Sequence, residues 1–342
     1  MSSHDRTAGT PAGWSGLPIV QAPMAGGAST PALAAAVSEA GGLGFLAAGY
    51  KTAAAMRAEI TATRALTSRP FGVNVFMPSL DDIDAADVTA YRDRLAPEAD
   101  RLGASLGLPT ARDDDYDAKI ADLLDDPPAL VSFTFGCPAP EVIRAFQARG
   151  TTVVVTVTTA DEARASAAAD ALCVQGTEAG AHRGSFTNTF DGALPLRDLL
   201  PQVRAVTSQP LIATGGLGTA SDVAEVLALG AVAAQLGTAF LRCPESGATP
   251  VHKAALADPR FTRTALTRAF SGRPARGLVN RFLTEYSPHA PAAYPDVHYV
   301  TSPLRKAAAA QNDADTVNLW AGESFRHATD APAAEIVATL AP

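Results

Sequence analysis

The chain has 342 residues and a formal net charge of −8 with no long basic run. That disfavours a nucleic-acid partner, because phosphate binding needs clustered Lys and Arg. Hydrophobic residues make up 47% of the chain, much of it alanine, so a globular, helix-rich protein is expected rather than a disordered one. Cys137, Cys173 and Cys243 are far apart and show neither metal-ligand nor disulfide-framework spacing, which fits a reducing, cytoplasmic location. No signal-peptide h-region and no membrane-length apolar run is read, so no membrane partner is expected.

Residues 1–14 read as a loosely draped N-terminal arm. Eight short apolar, β-branched runs then follow in order. They are "PIVQAPM" (18–24), "GLGFLAA" (42–48), "FGVNVF" (71–76), "LVSFTFG" (130–136), "TTVVVTVT" (151–158), "DALCVQG" (170–176), "PLIATGG" (210–216) and "VAAQLGT" (232–238). Runs this continuously apolar, alternating with helical patterns, predict parallel strands buried on both faces. The intervening helices carry start and stop signals. "STPALAAAVSEAGG" offers Ser29 or Thr30 as N-cap, Pro31 in the first turn and Gly41 as the stop. "TADEARASAAA" offers a capping box from Thr159 and Glu162, and "TASDVAEVLALG" repeats the pattern and ends at Gly230.

Eight such units predict a (β/α)8 TIM barrel over 15–242, with a doubly wound open sheet as the alternative. Residues about 79–128 read as an acidic, helical insertion after the third strand. Residues 243–310 read as a small, mainly helical domain after the eighth strand that covers the barrel mouth, and 311–342 as a return segment with a final helix.

Barrel active sites lie at the C-terminal ends of the strands, and the unusual residues of this chain gather there. The first strand runs into Ala22, Pro23 and Met24, where a proline belongs to a strand end that can lie against a flat ligand. Asn74 and Gln175 place amides at the ends of the third and sixth strands, where burial would demand hydrogen bonds. Glycine turns follow the seventh strand (Gly215, Gly216) and the eighth (Gln235, Leu236, Gly237, Thr238). Turns of this kind before helices suit a phosphate. His182, in "QGTEAGAHRGSF", is open to three readings on its own: base, metal ligand or polar loop residue. One phosphate and one flat heteroaromatic head are what flavin mononucleotide (FMN) would supply. No metal-ligand spacing emerges.

In "IVQAPMAGG", "NVFMP", "QGTEAGAHRGSF", "IATGG", "QLGTAF", "AFSGRPARGLVNRF" and "HYVTSPLR…NLWAG" the sequence resembles the nitronate monooxygenase family, in particular its class I branch. The resemblance implies an FMN enzyme that oxidises alkyl nitronates such as propionate 3-nitronate with O2. It implies that Ala22, Pro23 and Met24 line the flavin, and that Asn74, Gln175, Gly180 and Ala181 contact it. Gly215, Gly216, Gln235, Leu236, Gly237 and Thr238 would hold the phosphate end, with His182 as catalytic base. Two positions depart from the family pattern. Ala181 stands where the family has a second glycine, at a cost of about 1 kcal/mol if φ is positive there. Thr134 stands where many members have a histidine, and bears on substrate identity. His298, Tyr299 and Lys306 are further candidates for reaching the substrate. The expected partners are a small-molecule nitronate and O2, with a monomer or homodimer as the assembly. The competing functions are an FMN-dependent NAD(P)H reductase of quinones or enoyl thioesters on the same barrel, and a non-catalytic phosphate-ligand sensor.

Overall fold

The computed structural model describes residues 16–79, 82–110 and 112–342; the expected N-terminal arm lies outside them. In chain order the strands are β1 (Ile19–Gln21), β2 (Gly44–Ala47), β3 (Phe71–Phe76), β4 (Leu130–Thr134), β5 (Thr152–Val157) and β6 (Ala171–Gln175). They continue with β7 (Ala181–His182), β8 (Leu211–Thr214), β9 (Ala233–Leu236), β10 (Thr264–Thr267) and β11 (Ala275–Leu278). Eight of them pair in the order β1-β9-β8-β6-β5-β4-β3-β2. Every pairing in that sheet is parallel. A parallel bridge from Val20 to Leu43 joins β1 to β2 and closes the ring. The fold is a (β/α)8 barrel, and each of the eight apolar runs contains one barrel strand.

Apolar side chains of the strands serve two cores. Val20, Phe45, Val154, Cys173 and Ile212 fill the barrel interior. Their neighbours face outward onto helices: Ile19, Val155 and Val174, for instance, pack with Leu33, Val37, Leu199 and Val223. The final helix, Ala333–Leu340, adds Ile336, Val337 and Leu340 to that outer core.

Helix starts follow local chemistry. Thr30 caps the helix Pro31–Glu39, its hydroxyl accepting from Leu33 N at 3.0 Å. Thr219 and Asp222 form a complete capping box. The expected box at Thr159 is only half present: Thr159 accepts from Glu162 N, but the Glu162 carboxylate turns to Thr158 N, Thr158 Oγ1 and Phe186 N. Glu162 thereby anchors the loop after β7 instead of its own helix.

The two segments outside the minimal barrel share a hydrophobic core. Val88, Tyr91, Leu95 and Leu102 from the helices Ala85–Arg94 and Ala96–Leu102 pack with Phe270, Phe282, Val297, Val300 and Leu304. The third helix of the 79–128 stretch, Tyr116–Asp125, packs Ile120 and Leu123 on the barrel beside Ile60 and Val131, where a crossover helix belongs. The stretch after β9 also contains β10 and β11, which form a small antiparallel sheet with β7.

Candidate active site

A cavity of about 570 Å3 opens at the C-terminal ends of the barrel strands. All the residues singled out in the sequence line it: Ala22, Pro23, Met24, Asn74, Thr134, Gln175, Gly180, Ala181, His182, Gly215, Gly216, Gln235, Leu236, Gly237, Thr238, His298, Tyr299 and Lys306.

Below Met24, a hydrogen-bonded base stiffens the turn after β1. Gln21, wholly buried, donates to Ser29 Oγ at 2.9 Å and accepts from Phe45 N at 2.9 Å. Ser29 Oγ in turn accepts from Met24 N at 2.9 Å. Asn74 is buried, and its Nδ2 already reaches Ser132 Oγ (2.8 Å) and Thr134 Oγ1 (3.0 Å). Its amide therefore does not depend on a ligand for its donors. Gln175 is likewise committed, donating to the His182 carbonyl at 3.2 Å and accepting from Gly184 N at 2.7 Å. Both amides build the wall before any ligand enters.

Gly215 (φ +114°) and Gly216 (φ +69°) adopt backbone conformations that favour glycine. Neither donates its N–H to a protein acceptor among the described residues. The helix that follows contributes less than the sequence suggests, because Asp222 takes the N–H groups of Gly218 (3.0 Å) and Thr219 (2.9 Å). The donors offered to an anion are thus those of the glycine turn itself. Against this turn lies a segment that sequence reasoning left without a role. Gly322 N donates to Thr238 Oγ1 at 2.9 Å, and Ser324 Oγ donates to the Gly216 carbonyl at 2.5 Å. Gly180 is a glycine for the same reason: a Cβ there would lie 2.5 Å from Gly322 N.

His182 is held from three sides. Its backbone pairs with Ala275 on β11, and Nε2 lies 2.8 Å from Ser271 Oγ. Its ring sits edge-on to Phe135 (5.8 Å) and Tyr294 (5.6 Å), with Trp320 at 5.8 Å. Burial, reinforced by the positive charges of Arg273 and Arg305, pushes its pKa down to about 3. The imidazole is therefore neutral at physiological pH, with a lone pair to offer. Ala181 has φ +61°, so alanine occupies a left-handed position. Tyr50 (φ +64°) and Phe135 (φ +77°) do the same, and all three line the cavity. Strained backbone of this kind gathers at functional sites.

Opposite the glycine turns, the helix Asp296–Ala310 shows the cavity His298, Tyr299, Ser302, Arg305, Lys306 and Ala309, one face at helical spacing. The His298 ring stacks on Tyr50 at 3.8 Å and 8°. Tyr50 is pinned by its own N–H to Asp114 Oδ1 at 2.8 Å, and Asp114 is pinned by Lys119, wholly buried, at 2.7 Å. Sequence reasoning missed Tyr50, Ser271, Arg305, Trp320 and Ser324. A readable signal existed for Arg305, which lies seven residues after His298 on a helix, but nothing local marks the others.

A closed parallel barrel with one such cavity at the mouths of its strands defines a TIM-barrel enzyme. Its family is equally clear: the Nitronate monooxygenase family model matches residues 14–342, and the chain belongs to that family. It is 43% identical to a nitronate monooxygenase of Pseudomonas aeruginosa, over 94% of this chain and 95% of that protein. It is 41% identical to another from Paraburkholderia phytofirmans, over 94% and 91%. Among solved structures, a nitroalkane oxidase from Streptomyces ansochromogenes superposes with a TM-score of 0.92 at 57% identity, covering 95% of this chain and 94% of that one. FabK from Thermotoga maritima gives 0.73 at 27%, covering 95% and 91%.

Proposed function

We propose that the protein is an FMN-dependent nitronate monooxygenase, converting alkyl nitronates such as propionate 3-nitronate, and nitroalkanes, with O2 to a carbonyl compound and nitrite. The observation that carries this reading is one cavity that combines unpaired glycine-turn donors with a neutral, ring-enclosed histidine. Its volume lies within the usual range for cofactor and ligand sites. The free Gly215 and Gly216 N–H groups fit a phosphate, so the residues present fit the cofactor.

FMN, when bound, supplies the electron acceptor and the centre that reacts with O2. Gly215, Gly216, Gly237 and Thr238 would hold its phosphate. Thr238 Oγ1 already accepts from Gly322 and keeps its own O–H to donate. The backbone of Ala22, Pro23 and Met24 would support the ring, and Gln235 and Leu236 would join Gly237 and Thr238 at the phosphate end. Asn74, whose Nδ2 is spent on β4, offers Oδ1 to a ring N–H. Gln175 retains one Nε2 hydrogen beyond its bond to the His182 carbonyl. Gly180 and Ala181 bring the chain past the ring edge.

His182 then acts on the substrate. Ser271 Oγ, 2.8 Å from Nε2 and 3.3 Å from the Arg273 carbonyl, orients the ring. With a neutral nitroalkane, the neutral imidazole takes the α-proton. With a nitronate, already deprotonated, the imidazole orients the anion. Thr134, His298, Tyr299 and Lys306 shape the space beside it.

O2 uptake with propionate 3-nitronate, without NADH and alongside a visible spectrum, tests the proposal. Uptake with a yellow protein is expected. Bleaching of the flavin by NADH with no response to nitronate would make the protein a reductase. A colourless protein that takes up no FMN would remove the cofactor.

A further inference from the structure

The chain carries a net charge of −8, yet its cavity contains Arg305 and Lys306 and, among the described residues that line it, no Asp or Glu. Lys306 is exposed, whereas Arg305 is half-buried in the wall. Every hydrogen-bond partner of the Arg305 guanidinium is neutral. Nε donates to Thr301 Oγ1 at 3.1 Å, Nη2 to His298 Nδ1 at 3.2 Å and to the His298 carbonyl at 3.0 Å, and Nη1 to Asn318 Oδ1 at 3.4 Å. One Nη1 hydrogen is left over. Burial lowers its pKa to about 10, which still leaves it a cation at neutral pH.

A cation withdrawn from water without a carboxylate loses hydration that no counter-charge returns. Arg281 and Arg57 in this chain do have one, Glu98 at 2.6 Å and Asp122 at 2.8 Å, whereas Arg183 is held by the Asp191 backbone carbonyl. Arg305 instead faces the cavity, close enough to His182 and His298 for its charge to depress both. The bond from Nη2 to His298 Nδ1 also fixes the imidazole that stacks on Tyr50, so the guanidinium is positioned from both sides.

We propose that Arg305 is the specificity-determining residue of the substrate end, binding the delocalised oxygens of an anionic substrate beside His182. The inference rests on the function proposed above. The ligand chemistry is a planar two-oxygen anion, which the nitronate group itself and a carboxylate elsewhere on the substrate both provide. Arg305 supplies uniform binding of that anion, so its removal raises KM more than it lowers kcat.

The test uses FMN-loaded Arg305→Met and Arg305→Lys, each checked for flavin content and melting temperature. For propyl-1-nitronate and propionate 3-nitronate, Arg305→Met is expected to raise KM by about 10–100-fold, as for a lost charged hydrogen bond. kcat should move far less, and Arg305→Lys should fall between. The Ki of 1-nitropropane, a neutral competitor, should stay put. Loss with both nitronates assigns Arg305 to the nitronate group, and loss with propionate 3-nitronate alone assigns it to the carboxylate. Unchanged KM for both, or equal weakening of the neutral competitor, would overturn the proposal. A parallel titration with nitrite, followed by the flavin spectrum, decides the anion site even if no nitronate is turned over. There, wild-type binding weakened at least tenfold in Arg305→Met supports it, and equal binding refutes it.

Discussion

The two ends of the cavity are built from different materials. The Gly215–Gly216 end is backbone: two glycines at positive φ, unpaired N–H groups and no cation in its turn. The Tyr50–His298–Arg305 end is side chain: stacked rings, a half-buried cation and long-range anchors. Backbone donors suit a ligand that never changes, since no rotamer has to be frozen to present them. Side chains suit a ligand that differs between enzymes, because they can be exchanged one at a time without rebuilding the turn. Under the proposed function, the scaffold would separate holding the cofactor from choosing the substrate.

Substitutions can break that separation, and the largest effect belongs to the reacting group. His182→Asn should lower turnover of neutral nitroalkanes by about 10²–10⁴-fold while flavin content stays at wild-type level. Unchanged nitroalkane turnover would remove His182 as base. Next comes the anchor of the side-chain end. Lys119→Met strands the Asp114 carboxylate beneath Tyr50 and should cost about 3–5 kcal/mol in urea unfolding, as when one partner of a buried pair is removed. A wild-type urea midpoint would show the pair to be dispensable. At the backbone end, Gly215→Ala forces alanine to φ +114° and puts its Cβ 3.0 Å from the Gly176 carbonyl. FMN affinity should fall by roughly tenfold or more, as a strain of about 1–3 kcal/mol implies. Flavin retained through gel filtration at the wild-type ratio would contradict that.

A smaller effect comes from pH. His182 and His252 are pushed down to about 3 and about 4, both chiefly by burial. In the unfolded chain they titrate near the ordinary histidine value of about 6.5, so between that pH and 4 the unfolded state binds more protons. Their contribution to stability is full above that value and is lost as pH falls toward 4. The urea midpoint of the protein should follow, and a midpoint flat from pH 7 to pH 4 would contradict it. Smallest is Ala181→Gly, which relieves a left-handed alanine and should gain roughly 1 kcal/mol, read as a small rise in melting temperature. A fall would mean that the alanine methyl packs usefully.

The barrel was legible because buried parallel strands are written as continuous apolar runs, and threonine caps such as Thr30, Thr159 and Thr219 mark where several helices begin. The strand-end residues were legible for a related reason: an amide such as Asn74 or a proline such as Pro23 is conspicuous inside an apolar run. What each amide touches was not. Asn74 turned to β4 and Gln175 to the loop that carries His182, partners that depend on register and not on neighbours in sequence. The β7-β11-β10 sheet escaped because β7 has two residues and its partner lies about ninety positions on. Arg305 escaped because a cation on a helix ordinarily reads as a solvated face, and its helical spacing from His298 was the one sign that this face turns inward.

Ser324 and Gly322 brace the turns after β8 and β9 from much later in the chain. During synthesis, all eight barrel strands have been added to the chain by residue 236, well before the segment that braces Gly216 and Thr238. A chain broken off between the two lacks the groups that brace the pocket. Yellow colour in this protein would then report more than paired barrel strands: it would mark a molecule translated past Ser324.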